Sequence, residues 1–147
     1  MSKNDFRQSI GTSWILLLAA WVLVTTASLG SLFFSEVMDI PVCVLCWYQR
    51  IAMYPLVAIL AVGLLAPDPG AVRYAGPLAV AGWLIAVYQV LLVAGVIPEK
   101  MQPCVQGIPC SETHISLLGF LNIPVLALLV FTLTLMLLFA SYRMESP

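Results

Sequence analysis

Four long apolar stretches, spanning residues 14–34, 47–65, 74–97 and 123–140, leave this chain very few ways to fold. A helix crossing hydrocarbon about 30 Å thick needs roughly 20 largely apolar residues, and each stretch meets that length. Only helices and closed barrels satisfy every backbone polar group inside lipid, and continuous apolar runs of this length are helical rather than alternating. Composition agrees. Of 147 residues 62% are hydrophobic and 9% charged, with mean hydropathy +1.04, so no polar shell could keep such a core in water. The expectation is an all-α membrane protein: one integral membrane domain over residues 1–147, a four-transmembrane-helix bundle with two short extracytoplasmic loops. The six Lys and Arg are scattered and the net charge is −1, which excludes the basic stripe of a nucleic-acid binder.

The first apolar run follows Lys3 and Arg7. It exceeds the roughly 7–15 residues of a signal-peptide core, so it reads as a retained helix. Pro67, Asp68, Pro69 and Gly70 punctuate a tight connection after the second span. Orientation follows the cations, because Lys and Arg near span ends are retained in the cytoplasm. Lys3, Arg7, Arg73 and Arg143 fall on one side, Lys100 and Arg50 on the other. That places both termini in the cytoplasm and residues 35–46 and 98–122 outside. All the cysteines fall in those two outer segments, where disulfides form and persist.

The first cysteine pair reads Cys43-Val44-Leu45-Cys46, followed by Trp47-Tyr48-Gln49-Arg50. A Cys-x-x-Cys closes readily, and a cysteine opening a helix faces backbone N–H groups that favour its thiolate. Arg50 stands one turn beyond Cys46 and adds a fixed positive charge. Cys46 is therefore expected as the reactive thiolate and Cys43 as its more exposed partner. The second pair, Cys104 and Cys110, encloses Val105-Gln106-Gly107-Ile108-Pro109, a gap suited to a small disulfide loop. Alone it reads as a staple; two pairs facing one compartment, one beside an arginine, point to a redox relay. Four thiolates can also hold zinc, but structural zinc favours clips of two to four intervening residues, which the wider second gap does not match. His114 is a lone outer histidine, and Met53, Met101 and Met136 lie on different segments, so no metal site is expected.

The run from Cys43 to Pro55, Cys-Val-Leu-Cys-Trp-Tyr-Gln-Arg-Ile-Ala-Met-Tyr-Pro, with a second outer pair and four spans, resembles the disulfide bond formation protein B (DsbB) family. The short Cys104/Cys110 gap with Gly107, then Leu118-Gly119-Phe120 and Pro124, is similar to its short-loop, BdbC-type branch. The resemblance covers nearly the whole chain. It implies a quinone-dependent protein-disulfide oxidoreductase of the bacterial cytoplasmic membrane. Such an enzyme reoxidises an extracytoplasmic thioredoxin-like thiol oxidase, DsbA- or BdbD-like, and passes the electrons to ubiquinone or menaquinone. Carried over by position, it implies redox-active pairs Cys43–Cys46 and Cys104–Cys110, with Cys46 toward the quinone and Cys104 meeting the partner. Arg50 matches the family's quinone-side arginine. Long-loop members carry a histidine near the outer end of the third span, where this chain reads Leu92-Val93-Ala94-Gly95.

The chemistry is consistent with the residues themselves. A quinone dissolves only in the bilayer, so a cysteine at the lipid boundary is where dithiol and hydrophobic oxidant can meet. Arg50, an intramembrane charge, reads as functional against the alternative that it snorkels to the interface. Tyr88 and Gln89 lie in the outer half of the third span; Gln89 is a candidate quinone contact, with an interhelical hydrogen bond as the rival. Pro55 is expected to kink the second helix, and Gly82 with Ala86 to permit close helix approach. Residues 116–121 are expected to lie flat on the outer surface. The rival to an enzyme is a non-catalytic membrane assembly protein, disulfide-stapled or metal-binding.

Overall fold

The computed structural model describes residues 3–39, 42–65, 70–97, 116–117 and 121–145. They form α1 (Lys3–Glu36), α2 (Val44–Leu65), α3 (Gly70–Val93) and α4 (Ile123–Glu145), with strands β1 (Ser116–Leu117) and β2 (Leu121–Asn122) between the last two helices. All four helices are long and apolar enough to cross a membrane, over Gly11–Glu36, Val44–Leu65, Gly70–Val93 and Ile123–Met144. The protein is thus a four-span membrane bundle. Each helix packs on its chain neighbours and α4 closes back on α1. Successive helices run antiparallel, which puts both chain ends at one end of the bundle and the Cys43/Cys46 segment at the other.

The span boundaries shift where local chemistry intervenes. Helix α3 starts at Gly70, so Arg73 lies in its first turn, exposed, rather than in the preceding loop. It ends at Val93 instead of Ile97, because Gly95 takes the left-handed conformation (φ 72°). The Gly95 N–H donates to Leu92 O (3.1 Å) and the Val96 N–H to Leu91 O (3.1 Å), the paired bonds of a Schellman cap. Helix α2 begins three residues before the expected Trp47, so Cys46 lies inside its first turn and Cys43 caps it. Pro55 sits on its exposed face, and the helix runs unbroken from Val44 to Leu65. Before α4 the described residues pair as an antiparallel ribbon, with Ser116 opposite Asn122 and Leu117 opposite Leu121.

Lipid reverses the soluble pattern of exposure. Leu29, Ile51, Val62, Leu84 and Phe139 are all exposed, while the seams between helices are small or shape-matched. On α3 the buried positions Ala75, Ala79, Gly82, Ala86 and Gln89 alternate four and three apart, and on α2 Leu45, Gln49, Ala52, Leu56 and Leu60 follow a similar course. That near-heptad spacing keeps one stripe of each helix on its neighbour. Small residues let backbones approach, as van der Waals packing requires where no hydrophobic force acts between helices. Gly82 and Ala86 both lie in this seam, with Gly82 against the Phe131 ring of α4. Hydrogen bonds tie further contacts: Trp83 Nε1 donates to Thr132 Oγ1 (3.0 Å), and the hydroxyls of Ser13 and Ser141 pair at 2.9 Å near the chain ends.

Candidate functional site

Cys43 immediately precedes α2, and its backbone carbonyl accepts the Trp47 N–H at 3.2 Å. Its side chain occupies the capping position, where an acceptor satisfies a helix N–H that has no partner within the helix. Here the acceptor is sulfur: the Cys46 N–H donates to Cys43 Sγ at 3.3 Å. The first turn brings the sulfurs of Cys43 and Cys46 to 2.7 Å, and both cysteines are free thiols. Among the described residues these two form a vicinal pair ready for disulfide closure.

The expected exposures are reversed. Cys43 is 8% exposed, whereas Cys46 is only half-buried. The reason is packing: Cys43 forms a small apolar cluster with Leu45 and Leu92, against which Ile85, Tyr88 and Ile97 also pack. The hydrogen bond with the Cys46 sulfur, aided by burial, pushes the Cys43 thiol up from its ordinary range.

Gln89 reaches the pair from α3. It is 2% exposed, and its Nε2 lies 3.3 Å from Cys43 Sγ and 3.4 Å from Cys46 Sγ as donor to both. Its Oε1 accepts from Gln49 Nε2 at 2.6 Å, so the interhelical hydrogen bond expected as one alternative is present. Gln49 was not singled out from the sequence. Its signal was available: a polar side chain at a seam position of an otherwise apolar helix. Tyr88 is half-buried and packs on the Cys43 cluster.

Arg50 lies one turn below Cys46 and is 5% exposed. Its side chain turns inward to α1, where Nε donates to Ser31 Oγ (2.9 Å) and Nη2 to the Ser31 carbonyl (2.6 Å). A snorkelling arginine would carry its head to water; this one is held inside the bundle, its guanidinium also 5.5 Å from the Trp47 ring centroid. Ser31, too, escaped the sequence reading. A guanidinium has five N–H donors, and Ser31 engages two. The site therefore combines a dithiol, a buried amide donor and a buried cation at one end of an apolar bundle. Such a combination can hold negative charge on sulfur or on an anionic oxygen beside it. These features suit a quinone head group, with Arg50 as the donor that would hold it.

Cys104, Cys110, His114 and Met101 lie outside the described residues. Met53 is buried in the main core and Met136 is exposed. Among the described residues no three His, Cys, Asp or Glu side chains gather as a metal site.

Comparison with known proteins gives a consistent answer. The family described as "Disulfide bond formation protein DsbB" matches residues 12–141. A "Probable disulfide formation protein C 2" of Bacillus cereus is 45% identical over 127 residues, 86% of this chain and 91% of the relative. "Disulfide bond formation protein C" of Bacillus subtilis is 44% identical over 121 residues, 81% of this chain and 86% of its own length. A "Probable disulfide formation protein" of Metapseudomonas resinovorans is 41% identical over 141 residues, 95% and 98% of the two chains. No solved structure matches significantly. A four-span bundle with a capped Cys-x-x-Cys at one end, matched over nearly its full length by disulfide formation proteins, belongs to the DsbB family.

Proposed function

We propose that this protein is a membrane thiol-disulfide oxidoreductase that makes disulfides for export to a thioredoxin-like thiol oxidase and passes the electrons to a membrane quinone. The observation that carries the reading is the Cys43/Cys46 dithiol, contacted by Gln89 and lying one helical turn from a buried, inward-turned arginine. A buried charge in an apolar bundle is costly, and its place one turn from the dithiol supports a role for Arg50 in meeting negative charge there.

The electrons move in three balanced transfers. The reduced partner's dithiol gives two electrons and two protons to a disulfide of this protein, becoming a disulfide itself. The exchange proceeds through a mixed disulfide in which an attacked sulfur forms a new S–S bond and its former partner leaves as a thiolate. Cys104 and Cys110 receive the partner's two electrons, and the thiolate released there attacks Cys43, so that the Cys104/Cys110 disulfide re-forms and Cys43/Cys46 becomes the dithiol. The Cys43/Cys46 dithiol then returns to a disulfide, and a quinone supplies the acceptor for its two electrons and two protons. Cys46, half-buried in the first turn of the span, faces that acceptor. Arg50, held by Ser31, meets the negative charge that develops beside it. In this reading the cysteine end of the bundle is extracytoplasmic, both termini are cytoplasmic, and the membrane is the bacterial cytoplasmic membrane.

The test mixes purified protein with a reduced thioredoxin-like oxidase and a soluble quinone, and follows quinol formation. Quinol produced in step with partner oxidation is the expected result. No quinol above the uncatalysed rate, with the partner left reduced, would refute the proposal.

A further inference from the structure

Two primary amides lie among the largely apolar buried positions of α2 and α3: Gln49 at 5% and Gln89 at 2% exposure. An amide in such surroundings is costly unless its donors and acceptors are engaged. The bond from Gln49 Nε2 to Gln89 Oε1 engages one of each, and it also fixes which end of Gln89 faces the cysteines. With its oxygen accepting from Gln49, Gln89 presents its –NH2 to them. One nitrogen with two N–H groups then meets two sulfurs at nearly equal distance, 3.3 and 3.4 Å.

We propose that Gln89 is a catalytic hydrogen-bond donor shared by both sulfurs of the Cys43/Cys46 pair, and that Gln49 is the positioning residue that keeps its amide turned toward them. The proposal rests on reading this pair as redox-active. When a thiolate attacks the oxidised pair the S–S bond breaks, one sulfur is bonded to the attacker, and the electron pair departs on the other as a thiolate. An N–H bond to a thiolate is charge-assisted, whereas a neutral disulfide sulfur is a poor acceptor. The donor therefore favours the charged state over the neutral one, as differential binding requires. Because it is shared, it serves whichever sulfur carries the charge without moving a helix. Both donors and the oxygen of Gln89 are directed within the protein, so its partner is sulfur rather than a quinone ring.

The experiment uses the full chain in detergent, with Cys104→Ser and Cys110→Ser so that only the one pair reacts. The reduced pair is alkylated with iodoacetamide at neutral pH, mapped by peptide mass, and separately equilibrated with glutathione. A hydrogen bond to a charged group corresponds to about a tenfold change or more in equilibrium. Gln89→Leu is expected to slow Cys46 alkylation about tenfold and to shift the glutathione equilibrium about tenfold toward the disulfide. Gln89→Glu keeps the shape but puts an acceptor where the donor stood, so it should lose at least as much. Gln49→Leu, which frees the amide to turn, should shift both readouts in the same direction by a smaller factor. In the chain with all four cysteines, Gln89→Leu should lower kcat for quinone reduction and leave the quinone KM unchanged.

Alkylation and equilibrium within twofold of the parent in both Gln89 variants would overturn the proposal and leave the amides as an interhelical staple. A raised quinone KM with unchanged alkylation would overturn it in favour of a quinone contact. If Gln89→Leu loses its helical circular dichroism, the isosteric Gln89→Glu decides. Neither sulfur readout needs quinone, so failure of the parent protein to reduce quinone would count against the proposed function and leave this test readable.

Discussion

Gly82 sits where α3 meets α4, and replacing it with alanine tests whether that contact positions the site. An added Cβ would fall on Cε1 and Cζ of the Phe131 ring, with Cδ1 2.9 Å away. Phe131 is 1% exposed and cannot withdraw without displacing core neighbours. Overpacking of this kind costs about 1–3 kcal/mol. Against it stands the helix preference of alanine over glycine, about 0.8–1 kcal/mol. The overlap is with the body of a ring rather than the tip of a flexible chain, so the steric cost should prevail, leaving a net loss of up to about 2 kcal/mol. Gly30 in α1 is the control, since a Cβ there meets nothing within 4 Å. Gly30→Ala should retain only the helix gain and stabilise by up to about 1 kcal/mol. The assay is unfolding in mixed micelles followed by circular dichroism, with Phe131→Leu combined with Gly82→Ala to give a double-mutant cycle. Because Gln89 lies seven residues beyond Gly82 on the same buried stripe, turnover should also fall in Gly82→Ala and not in Gly30→Ala. Equal shifts of the same sign at both glycines, or full additivity with Phe131→Leu, would refute the argument.

Other expectations follow from the site. Changing either Cys43 or Cys46 to Ser should abolish quinone reduction, because no other described dithiol stands at the membrane boundary; turnover near the parent rate in either variant would remove this pair from the pathway. Arg50→Met should raise the apparent quinone KM in steady-state assays with little change in folding. Ser31→Ala removes one of the two acceptor atoms that Ser31 offers Arg50 and should raise it less; an unchanged KM in both would reduce Arg50 to a packing role. A partner lacking its resolving cysteine should be trapped on Cys104, seen on a non-reducing gel and mapped by peptide mass. An adduct that survives Cys104→Ser but disappears with Cys43→Ser would mean that the partner docks directly on the membrane-proximal pair.

The four spans were legible because lipid imposes one strong local requirement, a continuous apolar helix of bilayer length, and the sequence meets it four times. The Cys-x-x-Cys and its arginine were legible because they are neighbours along one helix, where spacing alone sets proximity. Span ends were less legible: the Gly95 cap and the earlier start of α2 depend on a few backbone hydrogen bonds that apolar periodicity does not register. What only the tertiary structure decided is everything contributed from another helix. Ser31 comes to Arg50 from 19 residues away and Gln89 to Cys43 from 46. Sequence could nominate Gln89 as a polar residue in a span but could not name Gln49 and the two cysteines as its neighbours. It also gave the wrong order of exposure for Cys43 and Cys46, since burial of Cys43 depends on Leu92 of α3. The physical reason is the same in each case: hydropathy and helical period report what one helix needs from its solvent, whereas the partner of a buried polar group is set by which helix faces it, and at what depth.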